Sequence, residues 1–556
     1  MNRLVNRRIR LLLAALMLAF GGLLLRATWL QGVRAESLSR LGQTQHREAV
    51  AVPAGRGTIY DRTGVELGLG ERATTVYANP RQIANPRAAA VAVERTLGLD
   101  ADRVYPQLAD RSRGFVYVER QADPAQATSL QRLKLPGFGF YPEERRSYPQ
   151  RSVAAQLLGY VGIDGNGLSG LEFEFDRALA GRAGRETIVK DPSGRVLDVQ
   201  QQRRETPGRD VFLTVDHSIQ ANAEQVLRQT VHKWHAKSAS AIVLDPRTGA
   251  ILAMAVQPGY DANRFPSAPR DLQRNRTVTD TYEPGSTFKL ITVAAALSER
   301  LVTPATRFTL PYSLHVADRV IHDAEERGTV DYSVAQILAH SSNIGAIELA
   351  QMLGRTRLSA WISRFGFGRT TEIDYPGESP GIVLPPAKWS GSTIGNVPIG
   401  QGIAVTPVQM AAAYAAIANR GIWSRPHLVD HVAGGARPSL YRRRLVSPHI
   451  ADELMLMLKD VVAEGTGQYA AMPGYQVAGK TGTAQKPDAH GGYATGRYVA
   501  SFVGIVPASR PRLVVLVTVD EPQGAIWGGV VAAPAFQQIA RFDLQYLEIP
   551  PDAPTG

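Results

Sequence analysis

The sequence predicts a multidomain protein: a single N-terminal transmembrane helix, then a β-rich α+β pedestal, then a larger α/β domain. Three observations predict it. An uncharged apolar run, Leu11 to Leu25, lies near the N-terminus behind a cluster of arginines. From about residue 37 short β-like runs alternate with Gly, Pro and charge, and from about 209 longer strand and helix patterns take over. The chain has 556 residues, 44% of them apolar and 20% charged, which is globular composition and too long for one core; about 150 residues per domain suggests two to four units.

Taken in order, Arg3, Arg7, Arg8 and Arg10 precede the apolar run, and Arg26, Trp29 and Leu30 follow it. The run alone is shorter than the roughly 20 residues of a full span. With Ile9 and Ala27 to Leu30 included, and with Arg10 and Arg26 snorkelling outward, residues 9–30 just reach across a bilayer. The basic cluster then holds residues 1–8 in the cytoplasm and sends the rest across the membrane. Val33-Arg34-Ala35 is a poor cleavage sequence, so an uncleaved anchor is expected.

Residues 37–205 form the expected pedestal, with strands at Thr58-Ile59-Tyr60 and Thr187-Ile188-Val189 and helices near Arg87 to Leu97 and Ala125 to Leu133. Asp61-Arg62-Thr63-Gly64 reads as a hairpin turn. Residues 209–548 form the α/β domain. Ile219 to Trp234 has helical spacing. Ser240 to Leu244 and Ala250 to Val256 flank a turn at Asp245-Pro246-Arg247-Thr248-Gly249. Val499 to Val506 and Leu513 to Val519 read as central strands, and Ala532 to Leu544 as a closing helix. Residues 549–556 are expected to be a disordered tail.

Net charge is +12, but the arginines are scattered and no zinc-finger spacing occurs, so nucleic-acid binding is not indicated. There is no Cys, which excludes disulfides, thiolate metal sites and cysteine nucleophiles.

Three short motifs carry the chemistry. Glu283-Pro284-Gly285 breaks the chain before Ser286-Thr287-Phe288-Lys289, and an apolar helix follows. That places the Ser286 hydroxyl at a helix start, beside free N–H groups, with Lys289 on the same face and within reach as a base. A lysine is neutral enough for this only if burial and a second cation depress its pKa from about 10.4; Lys480 is the natural second cation. Ser341-Ser342-Asn343 lies at a break between expected helices Tyr332 to Ala339 and Ile344 to Met352, so that Ser341 and Asn343 face a cleft and Ser342 points elsewhere. A hydroxyl there can relay a proton and a carboxamide can bind a peptide. Lys480-Thr481-Gly482-Thr483 follows the strand-like Tyr475 to Gly479. Its glycines let a peptide lie close on an edge strand, while Lys480, Thr481 and Thr483 are suited to receive a carboxylate. Each motif alone is commonplace in helix surfaces, caps and strand ends; their order and settings together point to acyl transfer through a serine.

With these motifs, and with Arg56 to Gly64, Arg146-Ser147-Tyr148-Pro149 and Gly170-Leu171-Glu172, the sequence resembles the class B penicillin-binding proteins over nearly its whole length. These are membrane-anchored peptidoglycan D,D-transpeptidases. Asn275 to Asp280 leading into Glu283-Pro284-Gly285, then Gly400-Gln401-Gly402 and Val477 to Lys480, resemble the septal enzyme of cell division; the elongation paralogue more often has Gln in place of Glu283. Ser342 departs from a Ser-Asp-Asn form, at a position that varies in the family.

The resemblance implies an antiparallel five-stranded sheet flanked by helices, plus an all-α subdomain. It implies catalytic roles for Ser286, Lys289, Ser341, Asn343 and Lys480, and an oxyanion hole from the backbone N–H groups of Ser286 and Thr483. Asn343, Lys480, Thr481, Gly482 and Thr483 would bind the donor peptide, which ends in D-Ala-D-Ala, and β-lactams would acylate Ser286. No metal or cofactor is expected. The implied partners are a polytopic SEDS-family glycosyltransferase and other division membrane proteins, met through the pedestal. Alternative readings are an elongation enzyme, a D,D-carboxypeptidase, a class D-like serine β-lactamase or sensor, and a catalytically silent scaffold. Between Asn343 and Lys480 no Glu-x-x-Leu-Asn element of the class A deacylating kind occurs, which weighs against hydrolysis.

Overall fold

Residue placement is described here from a computed structural model for 2–34, 47–52, 54–190, 196–437, 439–488 and 491–554. The expected start of the pedestal (37–46), Ala35 and the last two residues lie outside these. Among the described residues one helix is long and apolar enough to cross a membrane, over Asn6–Gly32. At 27 residues it is about 40 Å long, more than a hydrocarbon core requires. The helix starts at Asn2, inside the segment assigned to a tail, and continues through a π-turn at Trp29–Val33. Leu12, Met17, Leu18 and Leu25 are exposed along it, as a lipid-facing surface requires.

By their internal contacts, two compact units divide the chain. The smaller comprises 1–55 and 181–208; the larger comprises 56–180 and 209–556. The smaller contains a three-stranded antiparallel sheet in which Gly184–Lys190 lies between Arg47–Val52 and Val196–Arg203.

In the larger unit, most of the expected pedestal is continuous with the α/β part through one sheet. Ile59–Tyr60 pairs in parallel with Val211–Leu213, which pairs with Val429–Val432, while Glu66–Ala78 carries Val116–Ala122 and Phe138–Ser147. Three helices, Pro86–Leu97, Ala101–Ala109 and Pro124–Arg132, cover that sheet with their own apolar core. The reason for the continuity is visible in the contacts of Arg56, Asp61, Arg146 and Glu172. Glu172 is fully buried and accepts from Arg56 Nε (2.8 Å), Arg146 Nε (2.6 Å) and the Tyr148 hydroxyl (3.3 Å), and Arg56 also reaches Asp176 (2.7 Å). Asp61, in the hairpin turn, accepts the backbone N–H of His217 (3.0 Å) at the start of the helix His217–Lys233.

The five-stranded antiparallel sheet has the order Ile251–Gln257, Ser238–Leu244, Leu513–Asp520, Tyr493–Val506, Ala478–Pro487. Both faces are covered, so its inner strands are continuous apolar, β-branched runs. Alternate residues supply two cores. Ile242, Val514, Leu516 and Val503 pack with the helical subdomain, and Val243, Val515, Val517 and Phe502 pack with the helices His217–Lys233 and Ala533–Tyr546. The helical subdomain contains Lys289–Ser298, Val334–Ala339, Asn343–Phe365 (two helices that meet at a break at Gly354), Pro407–Ala418 and Pro448–Ala463, and also carries short two-stranded ribbons. Tyr332, expected in a helix, lies in the ribbon strand Val330–Ser333 paired with Arg307–Leu310; its alternating neighbours suit a strand as well as a helical turn.

The tail expected to be disordered from 549 is docked as far as it is described. Ile549 is buried, and Asp552 accepts from the N–H groups of Gln476 (2.7 Å) and Ser509 (3.1 Å). A Pro-rich end reads as disordered, but one carboxylate here satisfies two backbone donors.

Candidate active site

The three motifs converge where the helical subdomain meets the edge strand Ala478–Pro487. Gly285 makes this approach feasible: its φ is +55°, and a Cβ there would lie 2.7 Å from the Thr483 carbonyl oxygen. Gly482 faces the same constraint from the other side, since a Cβ would sit 2.8 Å from the Pro284 oxygen. Two glycines therefore let the Ser286 turn press against the strand. Gly285 N–H donates to the Gly400 carbonyl (3.1 Å), and Glu283 accepts the Gly402 N–H (2.9 Å), so the Gly400-Gln401-Gly402 segment holds this turn in place. Burial pushes the Glu283 carboxyl up from its ordinary value.

Ser286 lies in a 3₁₀ turn, Gly285–Phe288, that runs directly into the helix Lys289–Ser298. In such a turn residues i and i+3 eclipse, which stacks Lys289 on the side of Ser286. Ser286 is half-buried, whereas the helix from Lys289 to Leu297 is buried throughout. A lysine in that setting is shut off from bulk solvent. Its ammonium donates to the Ser341 carbonyl, the Asn343 Oδ1 (2.7 Å) and the Ser341 hydroxyl (3.2 Å). Burial lowers the Lys289 pKa from 10.5 to about 7, with Asp323 pulling in the opposite direction.

Ser341 sits between Val334–Ala339 and Asn343–Phe365 with φ +60°, a left-handed conformation that costs a non-glycine residue roughly 1–2 kcal/mol. Its neighbours hold it there. Ser342 N–H donates to Ile337 O (2.9 Å), and the Ser342 hydroxyl turns away from the cleft to cap Gly345 N–H (3.1 Å). The strained turn aims the Ser341 hydroxyl at both lysines, since Lys480 Nζ also donates to it (3.0 Å).

Lys480 is fully buried and its other contacts are to Thr481. Burial first, and then the Lys289 charge, hold its pKa well below the ordinary value. Burial is thus the larger cause for both lysines, and their mutual repulsion comes second. Thr481 shares its hydroxyl with Thr466 (2.7 Å), and the half-buried Thr483 hydroxyl accepts from Gly528 N–H (3.0 Å). The motif lies within the strand, two residues past its start, and not at a strand end.

Two features had no sequence signal. Asn343, expected to offer its carboxamide to a peptide, donates Nδ2–H to the His322 carbonyl (2.8 Å) while its Oδ1 faces Lys289. Asp323 accepts the Asn343 and Ile344 N–H groups (3.2 Å for the latter) and the Ser342 hydroxyl (3.0 Å). It lies in Asp323-Ala324-Glu325-Glu326-Arg327, which by composition is a solvated charged loop.

Among the described residues one group, Asp61, Asp216 and His217, brings metal-type ligand atoms within 4.8 Å of one another. Its atoms already have partners: Asp61 Oδ2 lies 2.8 Å from His217 Nδ1, and Asp216 caps Ser218 N–H (3.0 Å). The arrangement is accounted for as the cap of the helix His217–Lys233.

Comparison with known proteins finds matches over nearly the whole chain. Residues 239–541 match the penicillin binding protein transpeptidase domain, and residues 51–213 the penicillin-binding protein dimerisation domain. The peptidoglycan D,D-transpeptidase FtsI of Escherichia coli K12 is 33% identical, the match covering 99% of this chain and 94% of the relative. Penicillin-binding protein PbpB of Mycolicibacterium smegmatis is 34% identical, over 93% of this chain and 86% of the relative. The crystal structure of penicillin-binding protein 3 from Mycobacterium tuberculosis, complexed with aztreonam, superposes with a TM-score of 0.72 at 30% identity, covering 91% of this chain and 99% of that one. The two matched domains, in this order behind an apolar N-terminal helix, and the full-length relatives establish that this chain belongs to the class B penicillin-binding proteins.

Proposed function

We propose that this protein is a peptidoglycan D,D-transpeptidase that cross-links stem peptides through an acyl-enzyme on Ser286. The observation that carries this reading is the meeting of Lys289 and Lys480 at the Ser341 hydroxyl, with the Ser286 turn pressed against Thr483 and the Lys289 pKa lowered by burial to about 7. The E. coli relative is named a D,D-transpeptidase, and a family member has been solved with a β-lactam.

In this reading neutral Lys289 takes the Ser286 proton as the oxygen attacks the carbonyl of the penultimate D-Ala. The backbone N–H groups of Ser286 and Thr483, brought together by Gly285 and Gly482, receive the oxyanion. The D-Ala–D-Ala amide bond breaks, and the leaving amine takes its proton through Ser341, with Lys480 behind it. Thr481 and Thr483 bind the terminal carboxylate. Because Lys480 is fully buried, it acts through Ser341 and through its field. Asn343 releases His322 or uses its remaining acceptor capacity to hold the donor peptide. An amine of a neighbouring stem then attacks the acyl carbonyl, forming the cross-link and returning the proton to Ser286.

The test is covalent labelling with a penicillin. One adduct per chain on Ser286, stable over hours and absent from Ser286→Ala, is expected; turnover within seconds would show a hydrolase. The N-terminal arginines orient the anchor with its N-terminus in the cytoplasm and the enzyme outside it. A role at the division septum, with a SEDS glycosyltransferase as partner, follows from the resemblance of Asn275 to Ser286 and from the FtsI relative. A fluorescent fusion at midcell supports that role, and one along the side wall indicates the elongation role.

A further inference from the structure

We infer that Asp323, carried outside the three motifs, is the positioning residue that holds the Ser341–Asn343 turn against Lys289 and governs how readily Lys289 gives up its proton. This rests on Lys289 being the base.

Three observations carry it. First, the Asp323 side chain, 7% exposed, caps the start of the helix Asn343–Phe365 from outside, accepting from Asn343 N–H, Ile344 N–H (3.2 Å) and the Ser342 hydroxyl (3.0 Å). Second, the residue before it fixes the Asn343 amide: His322 O accepts Nδ2–H (2.8 Å), leaving Oδ1 to face the Lys289 ammonium (2.7 Å). The hairpin Ser313–Val316 and Arg319–His322 therefore decides which way that amide points. Third, the charges are arranged in a row. Arg327 pairs with Asp323 (Nε to Oδ2, 3.1 Å) and is anchored by the Leu310 and Gly328 carbonyls (2.9 and 2.8 Å). Beyond Asp323 come Asn343, Lys289 and, across the Ser341 hydroxyl, Lys480.

The other ionisable groups near this row are exposed. Glu325 and Glu326 face solvent, His322 packs on the Tyr312 ring (5.0 Å) and His340 stacks on Tyr332 (4.9 Å). Their fields are screened by water; those of Asp323 and Lys480 are not. Asp323 is accordingly the carboxylate that opposes burial in setting the Lys289 proton equilibrium. Removing its charge makes Lys289 neutral at lower pH. Removing Arg327 leaves the carboxylate uncompensated and has the opposite effect.

The experiment measures the rate of acylation by a fluorescent penicillin, from pH 5 to 9, with the full-length protein in detergent. Asp323→Asn moves the midpoint of the acidic limb down by about one pH unit, and Arg327→Gln moves it up by about half a unit. Asp323→Glu restores the wild-type midpoint. If both neutral variants slow acylation at every pH with the midpoint unmoved, Asp323 is structural only and the inference is overturned. The Arg327→Gln arm decides the matter should Asp323→Asn not fold. If the wild type has no acidic limb, or Lys289→Met acylates at the wild-type rate, the base assignment itself is what fails.

Discussion

The pH dependence of acylation in the unaltered enzyme is the most direct check on the role of Lys289. An ordinary lysine at 10.5 is neutral in about one molecule in 3,000 at pH 7; at the value of about 7 found here, about one in two is neutral. The difference, about 3.5 units, corresponds to roughly 5 kcal/mol of preference for the neutral form. The structural cause is a side chain 1% exposed, on a helix buried from Lys289 to Leu297. Since the folded-state pKa lies below the unfolded one, the cost of burying this charge is complete below about pH 7 and is relieved as pH rises toward 10.5, so stability rises with pH across that window. The rate of penicillin adduct formation should climb tenfold per pH unit below about 7 and level off above it. Stopped-flow acylation over pH 5 to 10 reads this directly. A log-linear rise that continues past pH 9 would refute the argument, because it would mean that Lys289 titrates like a solvated lysine.

Two further outcomes follow from packing. Gly285→Ala combines a positive φ with a Cβ 2.7 Å from Thr483 O; labelling by a fluorescent penicillin should fall at least tenfold, and wild-type labelling would contradict the close approach of turn and strand. Glu172→Ala leaves Arg56 and Arg146 buried without their shared carboxylate and should cost about 3–5 kcal/mol, seen as a lowered urea midpoint, with labelling retained at low temperature.

Much of the site was legible because its parts are local. Ser286 and Lys289 are three apart in one turn, the run Leu513–Asp520 announces a strand buried on both faces, and Leu11 to Leu25 marks a membrane helix; all these depend on spacing within one element. The meeting of Arg56, Arg146 and Glu172 was not legible, because they come together across up to 116 residues of chain. Likewise the docking of Asp552 on Gln476 has no local periodicity to signal it.

By itself, then, the sequence determined the family, the turn that carries Ser286 and Lys289, the order of the motifs and the types of the principal strands and helices. Tertiary structure alone decided how the motif residues are wired. It placed Lys480 behind Ser341, turned the Asn343 amide toward Lys289, and brought Asp323 from a charged loop to a helix start. The physical reason is that proton affinity and hydrogen-bond partnership depend on burial and on charges a few ångströms away in space, and residue spacing along the chain encodes neither.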